Sequence, residues 1–191
     1  MTIKSTPLSI ENELKGKVEG FHARANAIKQ TYHEQRQDIL KDDRLNDAAK
    51  TGDLAALADA TSTELKAIKA EQISYVAGLR TRLEKELAGN QPTDASSVLL
   101  RRDASERARN IEDERTALAA LQDAIANDDA SMAHAIGAKG RRSGWLNVSE
   151  AWQSAHPGTA GVAEALDYVE GYTTSGAYNL ANSMSFSDPA A

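Results

Sequence analysis

The stretch TSTELKAIKAEQISYVAGLRTRLEKEL, residues 61–87, sets Leu65, Ile68, Gln72, Val76, Leu79, Leu83 and Leu87 at repeating steps of three, four and four. These offsets sum to eleven, a hendecad spacing whose apolar stripe stays nearly straight along one helix face. Thr61-Ser62-Thr63-Glu64 at its head matches a capping box. At its foot, Gly89-Asn90-Gln91-Pro92 puts glycine past the last periodic residue and proline beyond it. One long amphipathic helix is expected here.

Working outward, a similar pattern precedes it. Leu14, Val18, Phe21, Ala25, Ile28, Tyr32 and Ile39 follow steps of four and three, with Gln35 filling the gap, after an N-terminal signal at Leu8-Ser9 behind Pro7. Residues 41–59, broken up by Asp42, Asp43, Asn46, Asp47 and Gly52, read as a turn region with a short helix. A third segment runs from Thr93-Asp94 through Ala104, Ala108, Ile111, Arg115, Leu118, Gln122 and Ile125. Three such segments joined by short connections predict an all-α fold. The expected form is an elongated, coiled-coil-like bundle of three helices, up-down-up, over residues 1–127. The stripes suit packing within one chain or between chains equally.

Composition agrees with thin helical packing. The 191 residues are 41% hydrophobic but only 5% aromatic, which argues against a thick globular core. There is no cysteine, so disulfides, thiolate metal sites and thiol catalysis are excluded. A net charge of −6 disfavours general nucleic-acid binding, which draws on clustered Lys and Arg. No apolar run approaches the roughly 20 residues of a membrane helix, and the start carries no apolar signal region, so neither membrane insertion nor secretion is expected.

Beyond residue 127 the character changes. Short helices are expected over 130–142, 147–155 and 159–172, with a turn at Ser143-Gly144 and a stop at His156-Pro157. Trp145, Leu146, Val148 and Trp152, with Val162, Leu166 and Val169, are candidates for a small satellite core in a docking subdomain, residues 128–172. Either tryptophan could instead anchor a partner. The basic, glycine-rich run Gly137-Ala138-Lys139-Gly140-Arg141-Arg142-Ser143-Gly144 lacks the order of a phosphate-binding loop. Its basic residues read as a last helical turn before a glycine cap, a use compatible with Arg141 and Arg142 meeting an acidic partner surface. Residues 173–191 hold one charge, Asp188. They read as a mobile tail or as an extended arm that lays Tyr178, Leu180, Met184 and Phe186 into a neighbour's grooves.

No catalytic, metal or cofactor pattern emerges. His22 and His33 share a helix face but stand about 16 Å apart, and His134 and His156 form no metal-binding motif. The acidic stretch around Asp42 to Asp53 lacks a calcium loop's glycine and closing glutamate. Non-enzymatic work through protein contacts is expected.

Residues 133–157, with Ala135-Ile136, Gly144-Trp145, Val148, Ala151-Trp152 and His156-Pro157, resemble short helical segments of structural proteins encoded near the capsid and portal genes of tailed bacteriophages, particularly those of actinobacteria. The resemblance covers about an eighth of the chain. It implies a virion component, made in the host cytoplasm, that contacts the capsid or the portal connector and acts as a homo-oligomer or in several symmetric copies. A capsid scaffolding protein absent from the mature particle, and a cellular coiled-coil adaptor, are the alternatives. A scaffold is expected to carry a basic C-terminal clamp, and residues 173–191 hold no Lys or Arg.

Overall fold

The computed structural model describes residues 5–89 and 93–189. Among them the regular structure is entirely helical: α1 (Pro7–Lys41), α2 (Asp47–Ala88), α3 (Ala95–Arg109), α4 (Glu114–Ala126), α5 (Ala130–Ser143), α6 (Leu146–Ala155), a 3₁₀ turn (Pro157–Thr159), α7 (Ala160–Thr174) and α8 (Gly176–Ser185). No described helix is long and apolar enough to cross a membrane. The described residues form two compact units, one of 5–83 with 164–189, the other of 84–163. The expected divisions at 127 and 172 do not coincide with these.

In the first unit α1 opens on a reciprocal cap. The Thr6 hydroxyl accepts from Ser9 N–H, the Ser9 hydroxyl accepts from Thr6 N–H, and Pro7 sits in the first turn. The cap therefore falls at Thr6 rather than at Leu8-Ser9. Arg24 pairs with Glu71 at 2.6 Å and Arg82 with Glu13 at 2.6 Å, so α1 and α2 run antiparallel. Between them lie Ile10, Leu14, Val18, Ala25 and Tyr32 of α1, with Leu65, Ile68, Gln72, Leu79 and Leu83 of α2, all at most 4% exposed. Both apolar stripes thus face inward as the spacing requires.

The start of α2 differs from expectation. The helix begins at Asp47, with Asn46 Oδ1 accepting from Ala49 N–H, and the hydroxyl of Thr61 bonds Leu57 O inside the helix rather than capping it. Gly52 meets nothing within 4 Å, and a single exposed glycine costs a long helix only about 1 kcal/mol. The turn before it is tied by Arg44, whose guanidinium and N–H both bond Asp42 and hold that carboxyl far below the usual range. At the far end Gly89 has φ +70°, the glycine stop expected, while Asn90-Gln91-Pro92 lie outside the described residues.

The third member of this bundle is not the segment from Thr93. It is α7 with α8. Glu170 pairs with Arg80 of α2, Asn182 bonds His22 of α1, and Met184 O accepts from Lys29. Rising numbers meet rising numbers on α1 and falling numbers on α2, so α7 and α8 run parallel to α1. Ala165, Leu166 and Val169 are buried there.

In the second unit the expected third helix is two helices. Asn110 caps α3, and Asp113 starts α4 by accepting from Thr116 N–H. The break resets the register. Ala104 and Ala108 are buried as anticipated, but beyond it Ala117, Leu121 and Ala124 turn inward, and Arg115 and Gln122 of the expected seam are exposed. α5 is the central helix, packed against α3, α4 and α6.

Candidate functional site

The residues expected to meet partners fall into two groups, one in each unit. In the first, residues 173–191 were expected to be extended. Their described part instead continues α7 to Thr174 and then forms α8, because Ser175 both accepts from Tyr178 N–H and donates to Tyr172 O, a helix-starting cap. A helix of ten residues then sorts its side chains by face.

The inner face of α8 is polar and aromatic. Asn182 Oδ1 accepts from Gln72 Nε2 at 3.1 Å and lies 2.8 Å from His22 Nε2, so that ring nitrogen carries the hydrogen. Gln72, only 1% exposed, also donates to the hydroxyl of Tyr178 at 3.2 Å. Tyr178 extends a row of rings with Tyr172 and Tyr168, and Phe186 meets His22 edge-on at 5.7 Å. Lys29 donates to Met184 O and to Ser187 Oγ, closing the C-terminal end, and burial pushes its ammonium below the ordinary lysine range. Ser62 donates to Asp188 at 2.6 Å.

The outer face is the opposite. Leu180 and Met184, one turn apart, are 62% and 67% exposed. Of the four arm residues, Tyr178 and Phe186 are therefore packed within their own chain, and Leu180 and Met184 are left open. Gln72, at a seam position that favours an apolar residue, gave the sequence's one hint that something polar would cover it. Nothing in the spacing named Asn182 as that partner.

In the second unit the two tryptophans part company. Trp152 is 2% exposed and Trp145 half-buried with the Lys139 ammonium 5.6 Å over its ring. The Arg141 guanidinium stands 5.7 Å over Trp152, while Arg142 is exposed and donates to Ala138 O. Leu146, expected in the satellite core with Val148, is 73% exposed. The glycine-rich run is helix up to Ser143 and ends at Gly144, φ +70°, in a left-handed cap.

Its two inner glycines have a packing role that the sequence reading missed. A Cβ on Gly137 would lie 2.5 Å from Trp152 Cδ1, and one on Gly140 would lie 2.6 Å from Val148 Cγ1. They are notches in α5 that seat two side chains of α6. Trp152 then stacks on His156 at 4.5 Å and 15°, His156 Nδ1 donates to Trp152 O at 2.9 Å, and His134 lies 5.2 Å from His156. The Trp152 Nε1–H is buried without an acceptor among the described residues, an omission that costs about 1–3 kcal/mol. Across the unit, Glu114 of α4 accepts from the backbone and side chain of Asn147, which ties the start of α6 to α4.

No protein-family model, curated protein or solved structure matches this chain.

Among the described residues no three His, Asp or Glu side chains gather as metal ligands. One pairing across helices centres on Glu13, held below the usual carboxylate range chiefly by Arg82, with the Tyr75 hydroxyl donating to it. Burial first, then Glu13, pushes that phenol up to about 12. This is a structural tie between α1 and α2.

Proposed function

We propose that the chain is a non-enzymatic structural protein of a tailed-phage virion, seated at the capsid or connector and working in several copies through helix-mediated contacts. The observation that carries this reading is the outward Leu180–Met184 pair on α8, an apolar knob on a helix locked in place by Asn182, Gln72, His22 and Lys29. Contiguous apolar surface, rather than a lone exposed side chain, marks contact sites, and these two side chains stand together one turn apart on one helix face. The phage assignment is supported by the resemblance of residues 133–157 to head-region proteins, and the net charge of −6 suits a protein partner better than nucleic acid.

Two experiments test it. Light scattering of the double variant Leu180→Ser, Met184→Ser is expected to show a smaller assembly than the parent at unchanged helicity; an unchanged assembly removes the knob from the interface. Mass spectrometry of purified particles from a phage encoding the chain is expected to find it in mature virions. Presence only in immature shells assigns it to scaffolding, and absence from both returns it to a cellular adaptor.

A further inference from the structure

We propose that the His134–Trp152–His156 cluster is an acid-sensitive latch between α5 and α6, in which protonation of His134 unseats the Trp152 indole from its notch at Gly137. The geometry places three rings together, with centroids of His134 and Trp152 at 5.5 Å, His134 and His156 at 5.2 Å, and Trp152 and His156 at 4.5 Å. The indole lies against backbone at Gly137, one turn beyond His134, so a change at His134 is felt where the indole sits. Its own N–H has no acceptor among the described residues, so no hydrogen bond anchors the indole.

A proton on His134 is poorly received. From the end of α6 it faces His156, and from α5 itself Arg141, while the other helices packed on α5, namely α3 and α4, supply no carboxylate that acts on it. Asp128 and Asp129 lie nearby around a small cavity of about 190 Å³, but on the side of His156, and Asp129 already accepts from Met132 N–H. The indole face attracts a cation, yet Arg141 already provides one at 5.7 Å, and a second beside it meets like charge. Burial first, then His156 and Arg141, hold the His134 imidazole below the ordinary histidine value of 6.5. A histidine depressed on folding favours the folded chain when neutral. Its contribution is whole above that ordinary value and drains away as pH falls through the depressed one.

The test uses the full chain with Trp145→Phe, which leaves Trp152 as the sole tryptophan, excited at the red edge where tyrosine does not absorb. Between pH 7.5 and 5 its emission maximum is expected to move to the red, with a midpoint below the ordinary histidine value. Adding His134→Gln should abolish the shift, whereas adding His156→Gln should retain it and exclude direct quenching by the stacked ring. A shift that survives His134→Gln, or no shift in the parent, overturns the latch. Should His134→Gln lose helicity at pH 7.5, histidine ring-proton titration of the unmodified chain decides. The Trp152 indole N–H resonance must then move together with the ring protons of His134, and an indole signal that stays fixed sinks the proposal.

Discussion

At Gly137 and Gly16 the same change, glycine to alanine, has opposite expected signs. Gly16 is exposed with nothing within 4 Å of a new Cβ, so Gly16→Ala should stabilise α1 by about 0.5–1 kcal/mol through helix propensity alone. Gly137→Ala gains the same propensity but drives a methyl into a rigid indole, and overpacking of about 1–3 kcal/mol outweighs it. Urea unfolding followed by circular dichroism checks both, and a Gly137→Ala chain as stable as the parent would mean the indole has room to retreat. Tyr75 offers a titration at the same scale. Its folded pKa near 12 lies above the ordinary 10, so its contribution is whole below pH 10 and is lost as pH rises through 12. Absorbance at alkaline pH should show one tyrosine ionising last, and Glu13→Gln should bring it earlier.

α8 depends on few side chains, and Asn182 is the one that two others need. Asn182→Ala leaves Gln72 buried with only the Tyr178 hydroxyl, a loss of about 1–3 kcal/mol, and should speed hydrogen exchange of α8 amides well beyond the effect on α1. Leu180→Ala, on the outer face, should change stability by less than about 0.5 kcal/mol. Equal protection in both variants would show that the polar contacts do not hold the helix. The legibility of the elements follows the same division between periodic and local signals. The stripes of α1 and α2 were readable because seven or so positions repeat with one period, which survived Gly16 and Gly20, whereas the first turns of α2 around Gly52 carry no such stripe and read as a turn region. The break at Asn110–Asp113 was not, because Ala104 and Ala108 continue in plausible phase into Ile111, and only the cap formed by Asp113 on Thr116 shows that a new helix starts. α8 was hidden for a related reason. Its residues alternate serine, asparagine and apolar types without charge, a composition that suits an arm equally, until Ser175 caps it and Asn182 finds Gln72.

For the whole molecule, an interface built on Leu180 and Met184 predicts how association responds to salt. An apolar contact should persist at 1 M NaCl, where charges more than about 3 Å apart are screened. Light scattering across a salt series should therefore show constant mass for the full chain, and a monomer at every salt for a chain ending at Tyr172. Dissociation as salt rises would instead direct attention to exposed basic residues such as Arg142. The truncated chain should also lose the circular dichroism signal of the ten-residue α8, since this segment is helical. Function was the least legible level. The eight residues singled out as partner contacts were chosen for chemical type, and type does not reveal whether Trp152 faces solvent or Gly137.

The paired notches at Gly137 and Gly140 make the contact between α5 and α6 keyed. Trp152 and Val148 are two teeth set one turn apart, each fitting a gap where the opposite helix has no side chain. Sliding α6 by a single turn toward the start of α5 would press Trp152 against Ala133 or His134, which carry a Cβ, so that direction offers no register to slip into. A joint of this kind sets the position of α6 along α5 by shape rather than by charge.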